Sequence, residues 1–225
     1  LTAQDLGVIR TPYLGIALVI AVVFVAIAIT RMPAYGEEDR SLDVRPTLRR
    51  LFRNSRYVEG VLAQFFYVGA QIMCWTFIIH YGTMELGLTE VQAQGYNMVA
   101  MVIFVTSRFI CTFLLKYVSP GGLLLALAIA GGGLTLGAIV IPGMVGLYCL
   151  VGVSACMSLM FPTIYGIALK GVGEDAKLGA PGLIMAILGG SVMPPLQGAI
   201  IDLQTVSLGG LSFPAVRASF LLVLL

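Results

Sequence analysis

Charge is scarce in this sequence. Only 11% of the residues are Asp, Glu, Lys or Arg, against roughly 25% in a typical soluble domain, so the chain lacks the polar surface to face water on all sides. A net charge of +2 gives no footing for a nucleic-acid partner. Histidine occurs once, at His80, at the end of an apolar run where it reads as interfacial. The cysteines Cys74, Cys111, Cys149 and Cys156 form no C-x-x-C pair and have no histidine cluster beside them. They read as small apolar side chains packed between helices, with no metal ligand set and no cofactor implied. H-E-x-x-H, G-x-S-x-G and paired membrane aspartates are missing, which argues against a membrane enzyme. The absence of a TVGYG-type filter or of charged rings argues against a channel.

Apolar runs are abundant. The apolar share is 59% and the mean hydropathy +0.98. A helix needs about 20 apolar residues to cross the hydrocarbon core of a bilayer. Runs of that kind cover 12–31, 57–81, 92–117, 121–142, 145–169 and 178–201, and a further one starts near 213. Turn chemistry separates them: Ser119-Pro-Gly-Gly122, Ile141-Pro-Gly143 and the charged, glycine-rich Lys170–Lys177. Connections this short imply antiparallel neighbours. The first residue is Leu1, without a signal-type leader, and Phe220–Leu225 stops inside an apolar run, so the sequence reads as a fragment.

One connection is different. Arg31, Arg40, Arg45, Arg49, Arg50, Arg53 and Arg56 cluster around 32–56, more than half of the 13 Lys and Arg residues. The positive-inside rule makes this loop cytoplasmic. Alternation then puts Lys116 and the Lys170/Lys177 pair inside, and Glu85, Glu90, the Pro142 turn and the 202–212 segment outside. Pro46–Arg50 reads as a short interfacial helix. One span, a long basic cytoplasmic loop and six further spans is the order in which major facilitator transporters join their two six-helix halves. On that reading the fold is an all-α integral membrane one. Residues 1–31 are the sixth transmembrane helix, 32–56 the basic linker, and 57–225 the C-terminal bundle of helices 7–12, the last incomplete.

Several helices carry polar faces that lipid cannot accommodate. Gln64, Tyr67, Gln71 and Trp75 follow steps of three, four and four, so they share one face. Their amides and indole offer hydrogen bonds and an apolar plate, the mix a sugar requires. Interhelical hydrogen bonding is the other reading. Gln94, Asn97, Met101, Phe104 and Arg108 share a second face. An intramembrane Arg108 suits a gating or structural role near the cytoplasmic mouth, or a sugar contact. Ser154, Ser158, Phe161 and Tyr165 share a third. There Pro162 deprives a carbonyl one turn earlier of its donor, and Phe161 is placed either to touch substrate or simply to pack. Gly189-Gly190 and Pro194-Pro195 weaken or bend their helix, as a hinge or a fixed kink. Gly131, Gly133 and Gly137, with Ala128 and Gly132, have the small-residue spacing of ordinary helix contacts. No Asp or Glu falls near a midplane: Glu59 and Asp202 lie close to span boundaries.

The strings Gln64-Phe-Phe-Tyr-Val-Gly-Ala-Gln71, Cys74-Trp75 and Ser107-Arg-Phe109 resemble helices seven and eight of the fucose:proton symporter family of the major facilitator superfamily. Phe161-Pro-Thr-Ile-Tyr165, Lys170–Gly179, Met185–Gly190, Pro194–Gly198 and Ile201-Asp202 are similar to its helix ten to eleven region. The likeness covers about 45–205. It implies proton-coupled uptake of L-fucose or a related monosaccharide by alternating access in a bacterial inner membrane, with a related carrier for another sugar (glucose/galactose) or a small polar solute as the alternative. It also implies that the coupling acids lie in an N-terminal half missing from this sequence. That half, the monosaccharide, the proton and the lipid bilayer are the expected partners. The position of Phe161 is often Tyr in the family, so a hydroxyl contact is lost there. The basic motif after helix eight is present only loosely, as Arg108 and Lys116.

Overall fold

Apolar runs bounded by caps and turn residues become helices. The computed structural model describes residues 3–30, 44–208 and 211–224. Two units, Leu1–Leu42 and Asp43–Leu225, separate by their internal contacts. The first contains α1, Ala3–Ile29, a 27-residue helix that exposes large apolar side chains such as Phe24 and Ile29.

The second unit starts at α2, Val44–Arg53. The sequence expects a short helix at Pro46–Arg50, and the helix found extends it on both sides; residues 31–43 of the basic connection lie outside the described residues. Asn54 ends α2 and caps the 32-residue α3, Ser55–Leu86, accepting from the Tyr57 N–H. Gly87, at φ 63°, closes α3 in the left-handed conformation that glycine adopts without strain. Thr89 opens α4, Glu90–Leu114, with a reciprocal capping box to Gln92. Ser119 and Pro120 start α5, Pro120–Val140. The Ile141-Pro-Gly143 turn leads into α6, Met144–Met157.

Two of the expected spans are interrupted. The run 145–169 divides into α6 and α7, Met160–Leu169. The run 178–201 divides into α8, Ala176–Met185, and α9, Gly189–Ile201, with a 3₁₀ turn at Ala186–Leu188 between them. Counting across these breaks, five stretches of the described residues are long and apolar enough to cross a membrane: Ser55–Leu86, Glu90–Leu114, Pro120–Val140, Met144–Leu169 and Gly173–Ile201.

After α9 the connection expected over 202–212 contains a hairpin. Strands β1, Thr205–Leu208, and β2, Leu211–Pro214, pair antiparallel with Thr205 opposite Pro214. The run expected from 213 becomes helical at α10, Ala215–Ala218, followed by a 3₁₀ turn at Ser219–Val223.

α3 is the central helix of this unit. Half of its apolar window is buried, against 11% for α4. It packs on α4, α6, α7 and α9. Its length carries three clusters in succession: Tyr57 with Leu51, Ala168 and Leu183; Tyr67 and Cys74 with Val153, Met157 and Ile164; then Phe77, Ile78 and Tyr81 with Leu147, Leu150 and Phe220. The small-residue spacing of α5 serves its pairing with α6, since a Cβ on Gly137 would sit 3.1 Å from Cys149 Sγ. All four cysteines are free, three of them buried.

Candidate functional site

The break between α6 and α7 organises the polar faces. Proline has no N–H, so Pro162 cannot donate to the carbonyl of Ser158, its partner one turn back in a continuous helix. The oxygens around this discontinuity are satisfied from other helices instead. Arg108 Nε on α4 donates to the Ser158 carbonyl at 3.2 Å. The Tyr67 hydroxyl on α3 donates to the neighbouring Met157 carbonyl at 2.7 Å. Ser107 Oγ donates to the Ala155 carbonyl at 2.8 Å, and Ser158 Oγ lies 3.2 Å from Ser107 Oγ. Three helices thus meet at one backbone defect through polar atoms, in a setting where unsatisfied carbonyls cost several kcal/mol each.

Two turns further along α3, the Trp75 indole N–H donates to Ser154 Oγ on α6 at 3.3 Å. The Trp75 ring meets Phe104 edge to face, with centroids 5.0 Å apart. The Arg108 guanidinium stands over that same Phe104 ring, 5.5 Å from its centroid. Among the described residues Arg108 has no carboxylate partner; Arg50–Asp175 and Arg217–Glu85 are the ion pairs found there. The surface therefore combines an aromatic plate and an uncompensated cation, backed by the buried hydroxyls of Ser154 and Ser158.

The residues singled out from the sequence occupy different depths on this surface. Gln71 and Trp75 keep part of their surface open. Tyr67 is buried behind them with its hydroxyl committed to Met157. Gln64 is fully buried, and neither atom of its amide has a hydrogen-bond partner. Asn97 is half-buried, and its side-chain oxygen also lacks a partner. Phe161 is half-buried, 6.4 Å from the Tyr67 ring.

Gly189 and Gly190, at the start of α9, pack directly against α3. A Cβ on Gly189 would overlap the Phe65 carbonyl, and one on Gly190 would meet Ile72 at 3.0 Å and Val68 at 3.2 Å. Gly189 has ordinary helical dihedrals, φ −53° and ψ −37°, so close approach rather than unusual backbone is what glycine provides there. Pro194 and Pro195 lie inside α9 and deprive Gly190 and Ser191 of helical donors.

Sequence reasoning did not find three interactions. Ser107 carries part of the α4–α6 contact, although its hydroxyl is one helical step from Arg108. Arg50 of α2 forks onto Asp175, with Nε–Oδ2 at 2.9 Å and Nη2–Oδ1 at 2.6 Å. Glu85, with no Lys or Arg near it in the sequence, lies 3.4 Å from Arg217 Nε, both side chains being largely buried. A lone cation in an apolar run was the available signal for this last pair.

Two cavities lie beside the polar faces, the first lined in part by Tyr67 and Met157 and the second in part by Gln94. One, of about 430 Å³, is lined mainly by apolar residues such as Phe66, Ala70, Leu124, Ala128 and Met160. The other is bordered by Ile79 of α3 and by Glu90, Val91, Gln94, Gly95 and Met98 of α4. In this chain the Trp75–Arg108 face is open surface.

No family model matches the chain. The chain is 49% identical over 223 residues to an L-fucose-proton symporter of Haemophilus influenzae, covering 99% of this chain and 51% of that protein. It is 36% identical over 200 residues to the L-fucose-proton symporter of Escherichia coli, covering 86% and 45%. The crystal structure of FucP, a major facilitator superfamily transporter, in the outward conformation superposes with a TM-score of 0.80 at 32% identity, covering 100% of this chain and 55% of that one. The chain is homologous to the C-terminal half of the L-fucose-proton symporters.

A putative glucose/galactose transporter of Helicobacter pylori is more distant, at 28% identity over 201 residues, covering 89% of this chain and 49% of that protein. The chain spans about half the length of the curated relatives it matches. Its fold is the C-terminal part of a major facilitator transporter, and it is a multi-pass membrane protein whose relatives are transporters rather than enzymes.

Proposed function

We propose that the protein is a secondary active transporter taking up L-fucose, or a closely related monosaccharide, together with a proton. The observation that carries this reading is the Trp75–Phe104–Arg108 face beside Gln71, joined to the two L-fucose-proton symporter relatives. A pyranose presents a C–H face that stacks on an aromatic plate and hydroxyls that pair with amides and a guanidinium. Gln71, Trp75, Asn97 and Phe161 are then the sugar contacts of this half, and Gln64 and Tyr67 support them from behind. The unpaired Gln64 amide and Asn97 side-chain oxygen are polar capacity available to substrate or to a rearranged helix contact.

Arg108 has a gating role in this reading, because it joins α4 to the break between α6 and α7. Gly189, Gly190, Pro194 and Pro195 mark where α9 can bend against α3. The proton-carrying carboxylate belongs to the N-terminal half of the full transporter, a portion this chain does not span. The 32–56 connection faces the cytoplasm of a bacterial inner membrane, with residues 1–31 as the sixth transmembrane helix and 57–225 as the C-terminal bundle.

The Helicobacter pylori relative favours glucose or galactose as the second reading for the sugar. Uptake of labelled L-fucose by cells making the full transporter separates the two. It should rise on acidifying the medium, vanish with a protonophore and be competed by unlabelled L-fucose. Uptake of another sugar that L-fucose does not compete would overturn the substrate assignment.

A further inference from the structure

The helix α2 takes no part in the polar face described above. Along Val44–Arg53 the apolar side chains Val44, Leu48, Leu51 and Phe52 occupy one side and the arginines the other. The fold uses a single edge of this helix. Thr47 and Leu51 are buried, Leu51 within reach of Gly179, and Arg50 is tied to Asp175. The adjoining apolar edge is open, with Val44 53%, Leu48 41% and Phe52 72% exposed. Beyond it Arg45, Arg49 and Arg53, followed by Arg56 at the start of α3, are exposed and make no hydrogen bond or ion pair among the described residues.

The position of α2 says what covers it. Asn54 joins it directly to α3, whose 32 residues extend roughly 48 Å at helical rise and so overrun a hydrocarbon core of about 30 Å. α2 also packs on α8 and on the 3₁₀ turn Gly173–Asp175 that precedes it. It therefore sits at the common end of two spans, where hydrocarbon gives way to headgroups. An apolar stripe flanked by cations at that depth matches one kind of molecule: acyl chains cover the stripe, and phosphates pair with the guanidinium forks.

We propose that α2 is a binding surface for anionic phospholipid, with Val44, Leu48 and Phe52 entering the acyl region and Arg45, Arg49 and Arg53 holding headgroup phosphates. The proposal rests on the chain being a multi-pass membrane protein and is independent of which solute is carried. It anchors the connection preceding α3 to the leaflet, at the point where Arg50 already ties α2 to the α7–α8 connection.

The test uses the purified protein in detergent, freed of endogenous lipid and titrated with phosphatidylglycerol or phosphatidylcholine of the same acyl chains. Native mass spectrometry counts the lipids bound. Phosphatidylglycerol should be retained in preference, and Arg45→Gln, Arg49→Gln and Arg53→Gln should each weaken its binding by roughly fivefold. Leu48→Asp with Phe52→Asp should weaken it while leaving the arginines in place. Equal retention of the two lipids, or arginine variants that bind phosphatidylglycerol like the wild type, would overturn the proposal. Displacement by glycerol 3-phosphate at equal concentration would also overturn it, since that describes a pocket for a free phosphate. Circular dichroism and elution profile verify folding; should the double aspartate variant fail to fold, the arginine variants carry the test. Sugar uptake is not the readout, so failure here is distinct from failure of the transport reading.

Discussion

Arg108 Nε donates to the carbonyl of Ser158, the oxygen that Pro162 leaves without a helical donor. A cation within a membrane span, a proline and a break between two helices are thereby one arrangement. The guanidinium satisfies a backbone atom that lipid could not, and keeps its remaining donors free beside Phe104 and Trp75. A hydrogen bond to a charged group contributes about 1.5–3 kcal/mol, so this one is strong enough to hold α4 to the interrupted helix.

Restoring the missing donor should relieve the dependence on Arg108. In Pro162→Ala the backbone N–H of residue 162 can reach the Ser158 carbonyl. Arg108→Gln should therefore destabilise the wild-type background more than the Pro162→Ala background, with a coupling of about 1 kcal/mol. Reversible unfolding in mixed micelles gives the four stabilities of the cycle, and strict additivity would separate Arg108 from the break.

Tyr67→Phe keeps the ring and removes only the hydroxyl. The Met157 carbonyl that it serves at 2.7 Å would be left buried and unpaired, at a cost of about 1–3 kcal/mol. The same unfolding measurement should show the loss. An unchanged midpoint would mean that another donor replaces the hydroxyl.

Gln64 makes the opposite case. Its fully buried amide has no partner, so Gln64→Leu, of similar volume, should leave stability unchanged or raise it by up to about 1–3 kcal/mol. A marked loss would show that the amide is paired in the full transporter.

Glycine substitutions separate close packing from conformational freedom. Gly189→Ala forces a methyl onto the Phe65 carbonyl and should destabilise the α3–α9 contact by about 1–3 kcal/mol. Gly132→Ala, in α5 with nothing within 4 Å of its Cβ position, should be neutral or stabilise by roughly 0.5–1 kcal/mol. Thermal stability in detergent compares the two, and equal effects would refute the packing argument.

The spans were readable because lipid hydrocarbon imposes one strong constraint, about 20 apolar residues between turn signals. Pro162 likewise announced a deprived carbonyl before its donor was known. The donors themselves were not readable. Trp75 and Ser154 are 79 residues apart, and helical periodicity describes one face of one helix without naming the helix opposite. Periodicity also grouped Gln64 with Gln71, whereas the packing of α3 against its neighbours buries the first and leaves the second open. The β1–β2 hairpin had a signal in the sequence that went unused: the dipeptide Gly209-Gly210, a composition favoured in hairpin turns, between Thr205-Val206 and Leu211-Ser212-Phe213.

Counterflow of labelled L-fucose in proteoliposomes of the full transporter tests the sugar face most directly, because exchange needs no proton gradient. The wild type should exchange, and Gln71→Ala should raise the half-saturating concentration by roughly five- to tenfold, the worth of one hydrogen bond, with the protein still folded in the membrane. Exchange with unaltered affinity in Gln71→Ala would return that face to the role of a helix contact, and the absence of exchange in the wild type would remove L-fucose as the substrate.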